Sequence, residues 1–130
     1  MRLLSVSFLL CFALGAQEKF VPIRGGDLPG RPGVRVDDFE MADAPVTGAQ
    51  YAEFIRATGH AAPEHFVAGA PPQGFEKHPV IYVNRYDVYG YLQWRSKKEG
   101  RIYRLPMAAE HEYAAKAGRD GAAYLGRHDY

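Results

Sequence analysis

A chain of 130 residues with sixteen Lys and Arg against fifteen Asp and Glu has a formal net charge of +1, which sets up no long-range field for nucleic acid or an anionic membrane. Its 47% hydrophobic and 13% aromatic content is that of a globular chain, and its length allows one domain. The single cysteine, Cys11, excludes a disulfide framework within the chain.

Residues 1–16 read as a secretory signal peptide. Arg2 gives a basic start, Leu3 to Leu14 is apolar apart from Ser5 and Ser7, and Ala13, Gly15 and Ala16 supply the small residues of a cleavage site. The apolar run falls short of the about 20 residues a membrane-spanning helix needs, so no stable membrane anchor is expected. Cys11 follows Phe8-Leu9-Leu10 rather than the small residue that precedes a lipid acceptor, and it is expected to leave with the leader. Cleavage after Ala16 leaves 114 residues, with Arg2 gone and fifteen bases against fifteen acids. The expected product is a secreted or periplasmic domain, 17–130, without a thiol. With no disulfide to help, its stability must come from packing, a bound ion or further chain.

Gln17 to Gly33 is rich in Gly and Pro and predicts a turn-rich opening that sustains neither a helix nor a central strand. Val34 and Val36, then Phe39 and Met41, alternate with polar residues on either side of Asp37-Asp38, which predicts a bulged strand or two short ones. Thr47-Gly48-Ala49-Gln50 has capping-box spacing, so a helix is predicted from Gly48. Its inward stripe is Tyr51, Phe54, Ile55 and Thr58, and Gly59 ends it.

His60 to Pro79 is predicted to be a long loop. Val80-Ile81-Tyr82-Val83 reads as a buried strand. Asn84 caps a second helix over residues 85–98, with Val88, Tyr91, Leu92 and Arg95 on one stripe, Trp94 beside it and Gly100 as the stop. Arg101 to Leu105 reads as one more strand, and Pro106 introduces a third helix, Met107 to Ala117, ended by Gly118. The fold class is α+β, three helices with short strands.

In order along the chain, Val46-Thr47-Gly48-Ala49-Gln50-Tyr51-Ala52-Glu53-Phe54, Pro79-Val80-Ile81-Tyr82-Val83-Asn84-Arg85-Tyr86-Asp87 and Tyr91-Leu92-Gln93-Trp94 lead to Tyr103-Arg104-Leu105-Pro106-Met107-Ala108-Ala109-Glu110-His111-Glu112-Tyr113-Ala114-Ala115-Lys116. This series resembles the formylglycine-generating enzymes, the sulfatase-modifying factor family. The second segment is similar to the family's Pro-Val-x-x-Val-Ser-Trp-x-Asp, and the last to its Tyr-Arg-Leu-Pro-Thr-Glu-Ala-Glu-Trp-Glu-Tyr-Ala-Ala-Arg. The likeness runs from Val21-Pro22-Ile23 to Tyr130.

The resemblance implies the N-terminal half of an irregular fold related to C-type lectins. Complete members oxidise a sulfatase cysteine to formylglycine with oxygen, using two cysteines that bind copper, and they hold structural calcium. Relatives include non-haem-iron sulfoxide synthases and periplasmic maturation factors. The residues for copper, calcium and substrate lie in the later half of the family's domain, so no catalytic, cofactor-binding or metal residue is assigned here. A thiolate pair is needed to hold a soft metal and exchange with a substrate thiol, and no thiol follows Cys11. The chain is therefore expected to be a truncated, non-catalytic member, with a sulfatase or another exported protein as partner once the missing half is supplied.

Met107 and Ala108 stand where the family has Thr and Glu, and Arg85 and His111 where it has Trp. The resemblance thus implies a lost helix cap of about 1 kcal/mol and, for two lost rings at packing positions, several kcal/mol.

Glu110-His111-Glu112 lacks the second His that a zinc-protease helix needs, since Ala stands at 115. Neighbouring helical side chains diverge, and Glu112 with Lys116 reads as a surface ion pair. His60, His65, His78 and His128 match no metal spacing and read as solvated loop residues. Of Tyr82, Tyr86, Tyr89, Tyr91 and Trp94, some are expected to fill the core while others turn a hydroxyl to water, in preference to an aromatic ligand platform. Gly25 to Gly33 lacks the context of a phosphate loop. The alternative function is a non-enzymatic, lectin-like module that binds a peptide or glycan through the 60–79 loop and the aromatic residues near Tyr86.

Overall fold

The computed structural model describes residues 18–116. Their order is β1 (Phe20–Ile23), β2 (Gly26–Asp27), β3 (Arg35–Val36), β4 (Phe39–Ala42), α1 (Gly48–Thr58), α2 (Arg85–Glu99) and α3 (Ala108–Lys116). This is the α+β class the sequence predicts.

The Gly- and Pro-rich opening forms strands where a turn-rich segment was expected. β1 pairs antiparallel with β4, from Phe20 opposite Ala42 to Ile23 opposite Phe39, and β2 pairs with β3. Each sheet has two strands, so every strand is an edge and Pro22 disturbs no central ladder. Gly25 is required between β1 and β2, because a Cβ there would lie 2.1 Å from the Val36 carbonyl oxygen. Asp37-Asp38 separates β3 from β4, and Asp38 Oδ1 accepts the Gly25 N–H at 2.8 Å.

α1 starts and stops where its sequence dictates. The Gln50 N–H donates to Thr47 Oγ1 at 3.3 Å, the Thr47 N–H donates to Gln50 Oε1 at 2.8 Å, and Gly59 closes the helix at φ 71°. α2 has the same arrangement. Asn84 Oδ1 accepts the Tyr86 and Asp87 N–H groups, Asp87 Oδ2 accepts the Asn84 N–H, and Gly100 follows at φ 65°. Tyr51 and Phe54 of α1 and Tyr91 of α2 form the core, with Val46, Ile55, Phe66, Val80, Val83, Leu92 and Trp94 packed around them. Thr58, on the predicted stripe, is exposed, and its hydroxyl donates to the Phe54 carbonyl.

Two predicted strands do not form. Val80 makes one contact of ladder type, donating its N–H to the Val46 carbonyl at 2.9 Å beside the Thr47–Pro79 bridge. The chain then turns at Tyr82, φ 57°, a left-handed conformation that ends extension and is costly for a residue with a Cβ. Val80 and Val83 reach the core, whereas Ile81 and Tyr82 are exposed. Residues 101–105 are held by a side chain instead of a neighbouring strand: Ser96 Oγ accepts the Tyr103 N–H at 2.8 Å, and Ile102 is 93% exposed.

The third helix begins one residue later than predicted, at Ala108, and Ala117 and Gly118 lie outside the described residues. Its cap is half present. Glu110 Oε2 accepts the Met107 N–H at 2.7 Å, the return half of a capping box, but Met107 has no side-chain oxygen for the Glu110 N–H. Met107 is exposed, so Met107→Thr supplies the missing acceptor with little burial lost. We expect it to stabilise the chain by about 1 kcal/mol, read as a rise in thermal midpoint. An unchanged midpoint would mean that this helix end is not capped as described.

Arg85 and His111 are both exposed. Among the described residues neither side chain is packed into the core, and His111 stands at the lining of a cleft.

Candidate functional site

The first β-strand and α2 meet over a cluster of charge and aromatic faces. Arg95 lies over the Tyr103 ring at 4.3 Å and the Phe20 ring at 5.6 Å. Its Nη1 makes a close ion-pair contact with Glu18 Oε2, without an aligned hydrogen bond, and its Nε donates to Glu99 Oε1 at 3.0 Å. The Tyr103 hydroxyl donates to the other Glu99 oxygen. The Glu18 and Arg95 side chains are 8% and 11% exposed. Burial opposes the Arg95 charge, but its contacts with Glu18, Tyr91 and Glu99 outweigh burial and raise its pKa above the ordinary arginine value. Burial pushes the Tyr91 hydroxyl up to about 12.

Beside this cluster opens a cleft of about 650 Å³ whose apolar wall includes Phe39, Met41, Pro45, Ile102 and Leu105. Its cations are already matched. Arg101 pairs with Glu40, and Arg104 makes a two-pronged contact with Glu110, Nη1 to Oε2 at 2.7 Å and Nη2 to Oε1 at 2.6 Å. The Arg104 hydrogen bonds hold the Glu110 carboxyl below its usual range against the opposing effect of burial.

At the other end of α2, His60 Nε2 is 2.7 Å from Asp87 Oδ1, and the His60 ring lies between Phe54 and Tyr86. The Asn84 N–H, then His60, lower the Asp87 pKa. Two exposed tyrosine rings are thus each backed by a loop histidine, Tyr86 by His60 and Tyr82 by His65. Tyr89 is also exposed, Tyr91 is buried and Trp94 packs against the core, which is the division expected of the aromatic series. His78 packs on Phe75, and His128 lies outside the described residues.

Among the described residues, no three His, Cys, Asp or Glu side chains gather to hold a metal ion. Lys116 Nζ lies 2.7 Å from Glu112 Oε1, the ion pair expected on α3, while Glu110 turns inward to Arg104. Cys11 is the one thiol of the sequence, and it lies outside the described residues.

The depressed carboxyls give a direction of pH dependence. Asp87, Glu99 and Glu110 all titrate below their ordinary values. Each therefore contributes stability that is complete above the unfolded-state pKa, about 4, and is lost as pH falls through the lower folded value. Thermal midpoints should be level from neutral pH to about 5 and fall below about 4. Glu110→Gln should flatten that fall, and an equally steep fall in the variant would remove Glu110 from the account.

The sequence profile of the Sulfatase-modifying factor enzyme 1-like domain matches residues 12–129. The chain belongs to the sulfatase-modifying factor family. It is 32% identical over 131 aligned positions to a formylglycine-generating enzyme of Streptomyces coelicolor, an alignment that takes in 70% of this chain and 40% of that protein. It is 29% identical over 123 positions to the serine/threonine-protein kinase Pkn1 of Chlamydia trachomatis, covering 83% of this chain and 18% of the kinase. The chain thus spans less than half the length of either relative. No solved structure matches.

Proposed function

We propose that this chain is an exported, thiol-free portion of a sulfatase-modifying-factor domain, and that it does not form formylglycine by itself. The carrying observation is the pairing of a family match over residues 12–129 with a sequence whose one cysteine, Cys11, sits in the leader-like segment. Oxidising a sulfatase cysteine by the family's route needs thiolates for copper and for exchange with the substrate, and residues 17–130 supply none. The exposed Ile102, Leu105 and Met107 support the further reading that the portion is completed by more of the domain, which would bring the copper and calcium sites and the sulfatase partner. The test is incubation of the purified chain with a cysteine-bearing sulfatase peptide, copper and oxygen, followed by mass analysis. Peptide unchanged is the expected result, and conversion of its thiol to an aldehyde would refute the proposal.

A second reading, a binding module for a peptide or glycan, draws on one observation. Tyr82 is 76% exposed yet holds a left-handed backbone, a conformation that costs about 1 to 3 kcal/mol and clusters at binding sites. A module must fold alone, so the absence of a cooperative thermal transition would eliminate this reading.

A further inference from the structure

One edge of β4 opens onto the apolar cleft. Pro22 has no N–H, so its pairing with Glu40 carries no ladder bond, and the bonds between β1 and β4 fall at Val21 with Met41 and at Ile23 with Phe39. The Asp43 N–H donates to the Lys19 carbonyl at 2.9 Å and keeps the same phase. The N–H and C=O groups of Glu40 and Ala42 therefore point away from β1, and among the described residues they meet no partner. Every residue of β4 lines the cleft of about 650 Å³, whereas β1 gives it Phe20 alone, so the cleft runs along this unpaired edge.

We propose that this edge is a docking surface for an extended segment of another polypeptide, which adds to β4 as a further strand and lays its apolar side chains in the cleft. Pairing along an open edge supplies main-chain hydrogen bonds, and the surface beside the edge selects alternate side chains. The opposite wall, Ile102 to Pro106, belongs to no strand, and its Ile102 and Leu105 are exposed. An inserted strand thus has apolar surface to cover on both of its sides.

Charge selects the segment. Each arginine of the cleft already faces a glutamate: Arg95 with Glu18, Arg101 with Glu40 and Arg104 with Glu110. Asp38 and Asp43, which flank β4 and also line the cleft, have no cation against them among the described residues. They are five residues apart, about 17 Å along a strand. The segment that fits therefore carries Lys or Arg at its two ends, with apolar residues alternating between them. The proposal stands on the edge, the cleft and this charge, and it depends neither on export nor on formylglycine chemistry.

The test uses the full chain and a synthetic peptide blocked at both ends, Lys-Ile-Thr-Ile-Thr-Lys, with a Glu-ended counterpart. Amide hydrogen exchange and fluorescence anisotropy are followed through a titration. The Lys-ended peptide should bind the more tightly and should slow exchange of the Glu40 and Ala42 amides. Asp43 is exposed, so Asp43→Lys leaves the fold in place. It should weaken the Lys-ended peptide by about fivefold and strengthen the Glu-ended one by a similar factor, a reversal that general damage to the fold does not produce. Two further Lys-ended peptides, N-methylated on one or the other alternate set of amides, separate strand pairing from apolar partition: one set should lose binding. Equal binding by both methylated forms and the parent overturns the proposal, as does exchange at Glu40 and Ala42 that saturating peptide leaves unchanged. Amides already protected before peptide is added, in a monomer or in a dimer seen by sedimentation, mean that the chain's own residues or a second copy cover the edge, and they overturn it as well.

Discussion

Replacing Arg95 by alanine is expected to cost about 3 to 5 kcal/mol of stability, the range for removing one partner of a buried ion pair. Glu18 is 8% exposed, so the variant leaves a carboxylate without its guanidinium and with little water to compensate. The loss is not only Coulombic. Arg95 covers the faces of Tyr103 and Phe20, contacts worth about 1 kcal/mol or more where water is excluded, and it joins α2 to the start of β1. Denaturant titration of the chain measures the effect, and a loss under about 1 kcal/mol, the level of an exposed pair, would show that the cluster is solvated. Arg95→Met combined with Glu18→Leu removes both charges while keeping volume. It should lie well above the single variant in stability, because buried pairs exchanged for apolar residues are often neutral. If the double variant is as unstable as Arg95→Ala, packing rather than charge holds this junction.

How far the fold could be read from the sequence followed the range of the forces involved. Helix boundaries were legible because caps are local: Thr47 with Gln50, Asn84 with Asp87, Gly59 and Gly100 each act within four residues of the end they fix. The stretches at 80–83 and 101–105 read as strands, yet a strand exists only through a partner, and theirs are one hydrogen bond from the Val80 N–H to the Val46 carbonyl and the hydroxyl of Ser96. The opening segment erred the other way, since Pro22 and its neighbours forbid a central strand but not an edge. The ion pairs of the candidate site divide likewise. Glu110 stands three residues after Met107, so its return to the Met107 N–H follows capping-box spacing even though the cap residue lacks an oxygen. Nothing local announces that Glu18 meets Arg95, which the seating of the start of β1 on α2 brings about, or that His60 meets Asp87, which is made by the packing of α1 on α2.

That packing turns on Phe54, and Phe54→Ala is expected to cost about 3 to 5 kcal/mol. Phe54 is 2% exposed, and its ring lies 5.3 Å from Tyr51, 5.8 Å from Tyr91, 5.7 Å from Trp94 and 4.9 Å from His60, centroid to centroid. A Cβ on Gly90 would come within 3.3 Å of its tip, so α2 approaches α1 closely at this ring. Removing it opens a cavity bounded by two helices that cannot both move inward, and the cavity adds to the lost transfer energy. Domains of this kind have about 5 to 15 kcal/mol in all, and the fully buried apolar side chains described here are few, so the variant should lose much of its cooperative transition. Phe54→Leu, which keeps most of the volume, should recover more than half of the deficit. Because Tyr91 shares the same contact, Tyr91→Ala made on top of Phe54→Ala should cost less than it does alone. The ring also presses His60 towards Asp87, so the same substitution should loosen the start of the 60–79 loop, seen as faster exchange of the His60 amide. If Phe54→Ala melts within a few degrees of the parent, α1 and α2 are held together by something other than this aromatic cluster.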